Sequence, residues 1–303
     1  MTGTGSSGPG LDDFVRHRDL LFTIAYEITG SVTDAEDVVQ ESYLRWQEAA
    51  RTTEIRNPRA YLARIATRQA LNRQRGNARR REDYVGPWLP EPLVTVPDVA
   101  DDAVLADSVS MAMMVVLDSL TPDERAVFVL REVFAFGHDE IAAALGKSSA
   151  AVRQIAHRAR SGVQARRPSP EEAAPHHPAA RQVAERFLRA ATTGDLQDLL
   201  DVLAPSVVLT ADGGGKVSAG LRPIHTADKV GRFLLGIRAK GFGGAVRIEP
   251  ALVNGRAGVL GYVGDVLDTV LTWDAVDDRI TAIYLVRNPD KVRTAQQPQR
   301  VAR

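Results

Sequence analysis

The chain has 303 residues, 44% hydrophobic and 25% charged, with 38 basic side chains against 38 acidic ones and no cysteine. That length allows two or three domains of ordinary globular composition, and the missing cysteine excludes disulfides, thiolate metal sites and cysteine nucleophiles. A formal net charge of zero means that any nucleic-acid affinity must come from local clustering of basic residues. No uninterrupted apolar run is long enough to span a bilayer and no signal peptide is evident, so the expected location is the cytoplasm, without membrane contact.

Residues 1–10 are rich in Gly, Ser and Thr and are expected to be disordered. Residues 11–81 read as helical. Phe14, Leu21, Ile24, Ala25 and Ile28 recur at helical spacing up to Gly30. Thr33 then looks like the cap of a second helix, with Glu36 three residues later. That helix is expected to bury Ala35, Val38, Val39, Ser42 and Trp46 and to expose Asp34, Asp37, Gln40 and Glu41. Acids in a first turn favour the helix dipole, which accounts for Asp34 and Glu36; Asp37 and Glu41 lie beyond it and leave an acidic docking face open. Asn57-Pro58 opens a third helix carrying Tyr61, Leu62, Ile65, Ala66 and Leu71, with arginines at 59, 64, 68, 73, 75, 79, 80 and 81. That density suits phosphate contact, with a solvated face as the plain alternative.

Residues 82–104 read as a linker, since four prolines rule out regular helix or central strand. The extended Trp88-Leu89 pair should dock on this protein or on a partner. Residues 105–167 return to helix. Thr121-Pro122-Asp123-Glu124 is a cap, a proline at the first helical position and a glutamate at the third. The stretch from Asp139 then gives a short helix, the terminator Gly146, a cap at Ser148 or Ser149, and a helix burying Val152, Ile155, Ala156, Ala159 and Val163. Its other side carries Arg153, Gln154, His157, Arg158, Arg160 and Gln164, and no acid occurs from Ile141 to Arg167. This is the pattern of a helix-turn-helix whose second helix enters the major groove.

Residues 168–178 form a second linker; His176-His177 between prolines reads as linker and not as a metal site. Residues 179–290 change character. Helices over 180–192, 196–203 and 227–239 accompany strands over 207–210, 245–252, 257–262, 266–273 and 279–286, with turns at Asp212-Gly213-Gly214-Gly215, Asn254-Gly255 and Asp277-Asp278. Helices on a mostly antiparallel curved sheet make an α+β domain with room for an internal cavity. Residues 291–303 are a tail.

The two helical blocks resemble RNA polymerase sigma factors of the extracytoplasmic-function group. Asp34-Ala35-Glu36-Asp37-Val38-Val39-Gln40-Glu41 matches the part of region 2 that docks on the polymerase clamp helices, residues 58–75 match the helix for melting and the −10 element, and residues 121–167 match region 4, which reads the −35 element. Trp88-Leu89-Pro90-Glu91-Pro92-Leu93, Asp212-Gly213-Gly214-Gly215-Lys216 and Asn288-Pro289-Asp290-Lys291 are signatures of the SigJ-type subgroup with a SnoaL-like, nuclear-transport-factor-like cone-shaped C-terminal domain. The resemblance implies two all-α sigma domains and one α+β domain. The implied partners are core polymerase (clamp helices and flap) and promoter DNA. It also implies regulation from within the chain, through contact of the C-terminal domain with the sigma core. Two departures stand out: Glu27 replaces a usual basic residue, and Ile224-His225-Thr226-Ala227 replaces an apolar-glycine pattern.

On this resemblance, Asp34, Asp37, Gln40 and Glu41 bind polymerase. Asn57, Tyr61, Arg64, Arg68 and Arg75 serve the −10 element and melting, with the segment 49–58 as a base pocket. Arg153, Gln154 and His157 read −35 base edges; Lys147, Arg158 and Arg160 meet phosphates, with Ser149 beside them. Trp88, Leu89, Pro90, Asp212, Gly213, Gly214, Lys216, Asn288, Pro289, Asp290 and Lys291 are the regulatory positions. No cofactor, metal or catalytic residue is expected. Asp212, His225, Asp265 and Asp268 are the candidates were the third domain to do acid–base work, although Asp212 before three glycines is equally a turn residue. The competing reading is a helix-turn-helix regulator with a small-molecule-sensing domain, which would have no need of the Asp34–Glu41 face or the arginine-rich helix.

Overall fold

The computed structural model describes residues 10–96, 102–166, 178–240, 245–296 and 298–303. The expectations for residues 1–9, Pro97 and His176-His177, and for the arginine side chains at 79–81, lie outside what is described. The chain forms two compact units. One gathers Met1–Ala78, Val116–Arg166 and Val301–Arg303; the other gathers Arg79–Val115 and Arg167–Arg300. The units do not follow the order of the chain: the proline-rich segment and the helix after it group with the C-terminal domain and not with the helix-turn-helix.

In the first unit, α1 (Leu11–Thr29) stops at Gly30, whose left-handed backbone (φ 72°) turns its N–H back to Tyr26 O at 2.7 Å. α2 (Val32–Thr52) begins at once, and its cap is Ser31, not Thr33. Ser31 has the extended backbone a cap needs, and its hydroxyl accepts Asp34 N–H at 3.1 Å. Glu36 is thereby released from any capping role and accepts Arg18 of α1 at 2.9 Å. The face of α2 expected to be buried is buried throughout. α3 (Pro58–Glu82) starts as its Asn57-Pro58 spelling implies, with Ala60 N–H donating to Asn57 Oδ1 at 3.1 Å.

α4 (Ala103–Ser108) belongs to the second unit, and α5 (Met111–Asp118) runs from the second unit into the first. α6 (Pro122–Phe128) carries the reciprocal Thr121/Glu124 capping box and widens into a π turn over Val129–Val133. α7 (His138–Leu145) ends at Gly146 in left-handed conformation, and Ser148 caps α8 (Ser149–Gln164), whose buried face is the one its spacing predicts. Arg125 of α6 is wholly buried, donates Nε to Glu27 O of α1 at 2.6 Å and pairs with Asp118. The same unit holds the chain's last residues: Val301 is buried and Ala302 N–H donates to Thr23 Oγ1 at 3.0 Å.

The second unit is a six-stranded sheet in the order β2-β1-β6-β5-β4-β3, with β1 and β6 parallel and the other neighbours antiparallel. Its strands are β1 (Leu203–Asp212), β2 (Ile224–His225), β3 (Val246–Val253), β4 (Arg256–Val263), β5 (Val266–Val276) and β6 (Arg279–Val286). One face packs on α9 (Pro178–Thr193), α10 (Leu196–Val202) and α11 (Ala227–Lys240), burying Phe187, Leu199, Val230, Trp273, Ile283 and Leu285 together. The other face buries Leu260, Val270 and Val286 under Leu89 and Val94 and under Val292 of α12 (Pro289–Val292). Residues 83–96, expected as a tether, are therefore part of a hydrophobic core. Thr95 N–H donates to Leu252 O at 2.9 Å, adding a short bridge to the β3 edge.

Candidate functional sites

The acidic face of α2 is internally braced. Arg73 of α3 reaches Asp37 at 2.9 Å and Asp34 at 3.5 Å, and Asn77 donates to Asp34 at 2.7 Å. Glu41 pairs with Arg45 one turn on, and Gln40 is exposed. The result is a row of polar groups with one end fixed by α3 and the other open to solvent.

The loop between α2 and α3 borders a cavity of about 350 Å³. Asn57, Tyr61 and Arg64 line one side, with the Arg64 guanidinium 4.7 Å from the Tyr61 ring centre, and Glu140 and Ala143 of α7 line another. The loop begins at Thr53, since α2 extends to Thr52, so the pocket is narrower than the 49–58 segment expected. Arg68 lies close by and donates to Ala143 O and Ala144 O, both at 2.8 Å. These are unsatisfied carbonyls of a helix C-terminus, where a cation is favoured. Arg75 pairs with Asp123 at 3.2 Å, and Lys147 reaches the same carboxylate at 2.9 Å.

On α8, Arg153, Gln154 and His157 project to solvent from the exposed side. Arg158 is oriented by Glu124 at 3.2 Å and Arg160 by Glu132 at 2.6 Å. The bonds of Thr121 to Glu124 lead the effects holding its carboxyl below the ordinary range; Arg158 adds to them and partial burial opposes them. Ser149 Oγ bonds to Asp139, linking the starts of the two helices of the motif.

The positions expected to regulate converge on one clamp in the second unit. Asp212, fully buried at the end of β1, accepts Leu89 N–H at 2.9 Å, Tyr84 O–H at 2.5 Å and Lys291 Nζ at 2.7 Å. The Lys291 ammonium also bonds to Leu89 O and lies 3.3 Å from the centre of the Trp88 ring. One residue of the linker, Leu89, is thus gripped on both its N–H and its C=O by an ion pair. Asn288 caps α12, ahead of Pro289, and donates to Tyr84 Oη at 2.7 Å. Burial, reinforced by Asp212, pushes the Tyr84 phenol well above its usual range. Gly214 has φ 62°, and a Cβ there would collide with the Asn288 amide. Gly213 is equally crowded, by Val217 O. Lys216 and Asp290 pair across the outside, and Pro90 is buried.

Residues 14–80 match the family model for sigma-70 region 2, and residues 110–161 the model for sigma-70 region 4. Over 294 residues the chain is 40% identical to the ECF RNA polymerase sigma factor SigJ of Mycobacterium tuberculosis (strain ATCC 25618 / H37Rv), covering 93% of this chain and 92% of that one. The chain belongs to the ECF sigma factors of RNA polymerase. The crystal structure of M. tuberculosis SigJ superposes with a TM-score of 0.74 at 36% identity, covering 94% of this sigma factor and 99% of that chain. A probable ECF sigma factor, SigI of M. tuberculosis (strain CDC 1551 / Oshkosh), is 33% identical over 278 residues, covering 90% of this chain and 91% of that one. Membership decides between the two sequence readings: this is an alternative sigma factor with a SnoaL-like third domain, and its partners are core polymerase and promoter DNA. No helix among the described residues is long and apolar enough to cross a membrane.

Within that third domain the four acid–base candidates do not assemble. Asp212 is committed to the clamp, while His225 and Asp265 are exposed. Asp268 alone lines the domain's apolar cavity, where Arg287 chelates it at 2.9 Å through both Nε and Nη2. Burial pushes the Asp268 carboxyl up, and its bonds to Arg287 and Thr269 outweigh that and hold it low. Sequence reasoning missed Asn254, read only as a turn. It is fully buried at φ 54°, exchanges bonds with Leu93 N–H and C=O, and donates to Val109 O at 2.7 Å. A Cβ on the following Gly255 would meet Ala106 at 2.9 Å, so only glycine lets α4 lie this close. The Asn-Gly spelling was visible; its partners, more than 140 residues away, were not.

Proposed function

We propose that this sigma factor docks on the polymerase clamp helices through Asp34, Asp37, Gln40 and Glu41, and on the flap through region 4. The loop before α3, with Asn57, Tyr61 and Arg64, takes up the −10 strand, while Arg68 and Arg75 hold phosphates. Arg153, Gln154 and His157 read the −35 duplex, with Lys147, Ser149, Arg158 and Arg160 on the backbone beside it. The C-terminal domain regulates in cis by holding the segment that joins region 2 to region 4. The observation that carries this last step is the Asp212–Lys291 pair closed on the backbone N–H and C=O of Leu89. A clamped connector sets how far apart the two reading heads can act; a released one is a flexible tether whose span is broad.

The test is transcription reconstituted with core polymerase on templates that differ only in the spacing between the −10 and −35 elements. Lys291→Ala should broaden the range of spacings that support transcription. An unchanged spacing profile, with hydrogen exchange showing residues 88–93 released, would refute regulation through the connector while leaving the sigma assignment intact.

A further inference from the structure

The cavity of the C-terminal domain is about 320 Å³ and lies between α9, α11 and the inner face of the sheet. Its walls are apolar: Leu188 and Ala191 on α9, Leu234 and Ile237 on α11, Val259 and Leu271 on the strands. Polar side chains gather at one end as Asp268, Thr269 and Arg287. Their convergence is built by a fault in the strand pairing. Thr269 pairs with Gly261 and Leu267 with Tyr262, which leaves Asp268 as an extra residue in β5. A strand normally sends successive side chains to opposite faces. At this bulge two successive side chains, Asp268 and Thr269, line one cavity, while Leu267 and Val270 on either side belong to the opposite core.

The pair is also balanced in charge. Asp268 Oδ2 accepts Arg287 Nε and Thr269 Oγ1, and Oδ1 accepts Arg287 Nη2. Two carboxylate oxygens offer about four acceptor positions, so among the described residues Oδ1 keeps one acceptor position. A ligand carboxylate would face the charge of Asp268, and a hydrocarbon would leave the lone pair unanswered. A hydroxyl donor fits it, and the apolar walls fit an uncharged ring or short chain, which dry cavities of this type take up readily.

We propose that this cavity is a binding site for a small, uncharged, mainly apolar molecule carrying one hydroxyl, such as an alkylphenol, donated to Asp268 Oδ1. The site adjoins the linker clamp, since Arg287 N–H donates to Asp212 O at 2.7 Å, and it is tested by binding alone. Calorimetry on the full chain would use 4-propylphenol, propylbenzene and 4-propylbenzoate. The phenol should bind saturably at one site, propylbenzene about tenfold more weakly for want of a hydrogen bond to a charged acceptor, and the benzoate not measurably. Ala191→Phe should fill the cavity and abolish phenol binding with the unfolding midpoint retained; Leu234→Phe, on the facing helix, is the second occluding variant. The double variant Asp268→Leu, Arg287→Leu should bind phenol and propylbenzene equally. Phenol that fails to saturate, that binds both occluded variants as well as the parent, or that binds no better than the benzoate would overturn the assignment.

Discussion

The surface pairs of the first unit and the linker clamp of the second use their cations in opposite ways, although the first unit also buries the Arg125–Asp118 pair. In the first, Arg75, Arg158 and Arg160 sit in surface pairs with side-chain exposures of 58%, 61% and 50%; in the second, Lys291 is 5% exposed against an Asp212 that is 0% exposed. Exposed pairs contribute about 0–1 kcal/mol, so a DNA phosphate can replace the carboxylate partner at almost no cost. Removing one member of a buried pair costs about 3–5 kcal/mol, because the other is left charged and dry. The first arrangement is made to be exchanged and the second to be kept. The proposed functions divide along the same line: the groups proposed to meet DNA sit on weak partners, and the groups that hold residues 88–93 are locked.

Breaking the locked side should give the largest effect. Lys291→Ala leaves Asp212 buried without its cation and should destabilise the second unit by about 3–5 kcal/mol, read from urea denaturation; an effect below 1 kcal/mol would erase the distinction between the units. Asn254→Ala comes next, at about 2–3 kcal/mol, since it orphans Leu93 N–H and Val109 O. Asn254→Gly, which tolerates the positive φ, should recover only the backbone part of that loss, and full recovery would mean the side-chain bonds contribute nothing.

A smaller effect is set by pH. Burial holds the Asp274 carboxyl above the ordinary range, against the pull of Arg256, and its Oδ2 has no partner among the described residues. A folded pKa above the unfolded one gives stability that is full below about pH 4 and lost as pH rises through the folded value. Asp274→Asn should therefore gain about 1 kcal/mol at neutral pH and nothing near pH 4, a difference that paired denaturation curves resolve. The smallest stability change belongs to the exchangeable side. Arg68→Ala should cost no more than about 1 kcal/mol, yet weaken promoter binding alike on all sequences and lower its salt slope by about one. Loss confined to one promoter position would instead make Arg68 a base reader.

What was legible beforehand is what local chemistry decides. The buried face of α8, the Thr121 capping box and the limits of β6 follow from periods of 3.6 and 2 and from end signals a few residues long. Ser31 shows how narrow that reading is: two hydroxyl residues compete for one cap, and the position of Gly30 decides in favour of the nearer. What stayed hidden depends on partners far along the chain. Asp212 and Lys291 were singled out as motif positions, but nothing in their spacing says that they bond to each other across 79 residues, or that both reach Leu89. The segment 83–96 looked like a tether because its prolines bar regular structure, and prolines do not bar burial. The bulge at Asp268 was invisible for a related reason: it is a property of two strands, and the residue alone gives no sign of it.

The order of the clamp along the chain has a consequence in time. Leu89 is held by Lys291, 202 residues later. At about 5–20 residues per second of synthesis, the ribosome needs roughly 10–40 s to travel between them. Throughout that interval the Leu89 carbonyl is without the ammonium that holds it, while Leu252 and Asn254, made earlier than Lys291, already supply the bonds to Leu93 and Thr95. The grip on Leu89 is therefore made late in synthesis, long after the segment it holds.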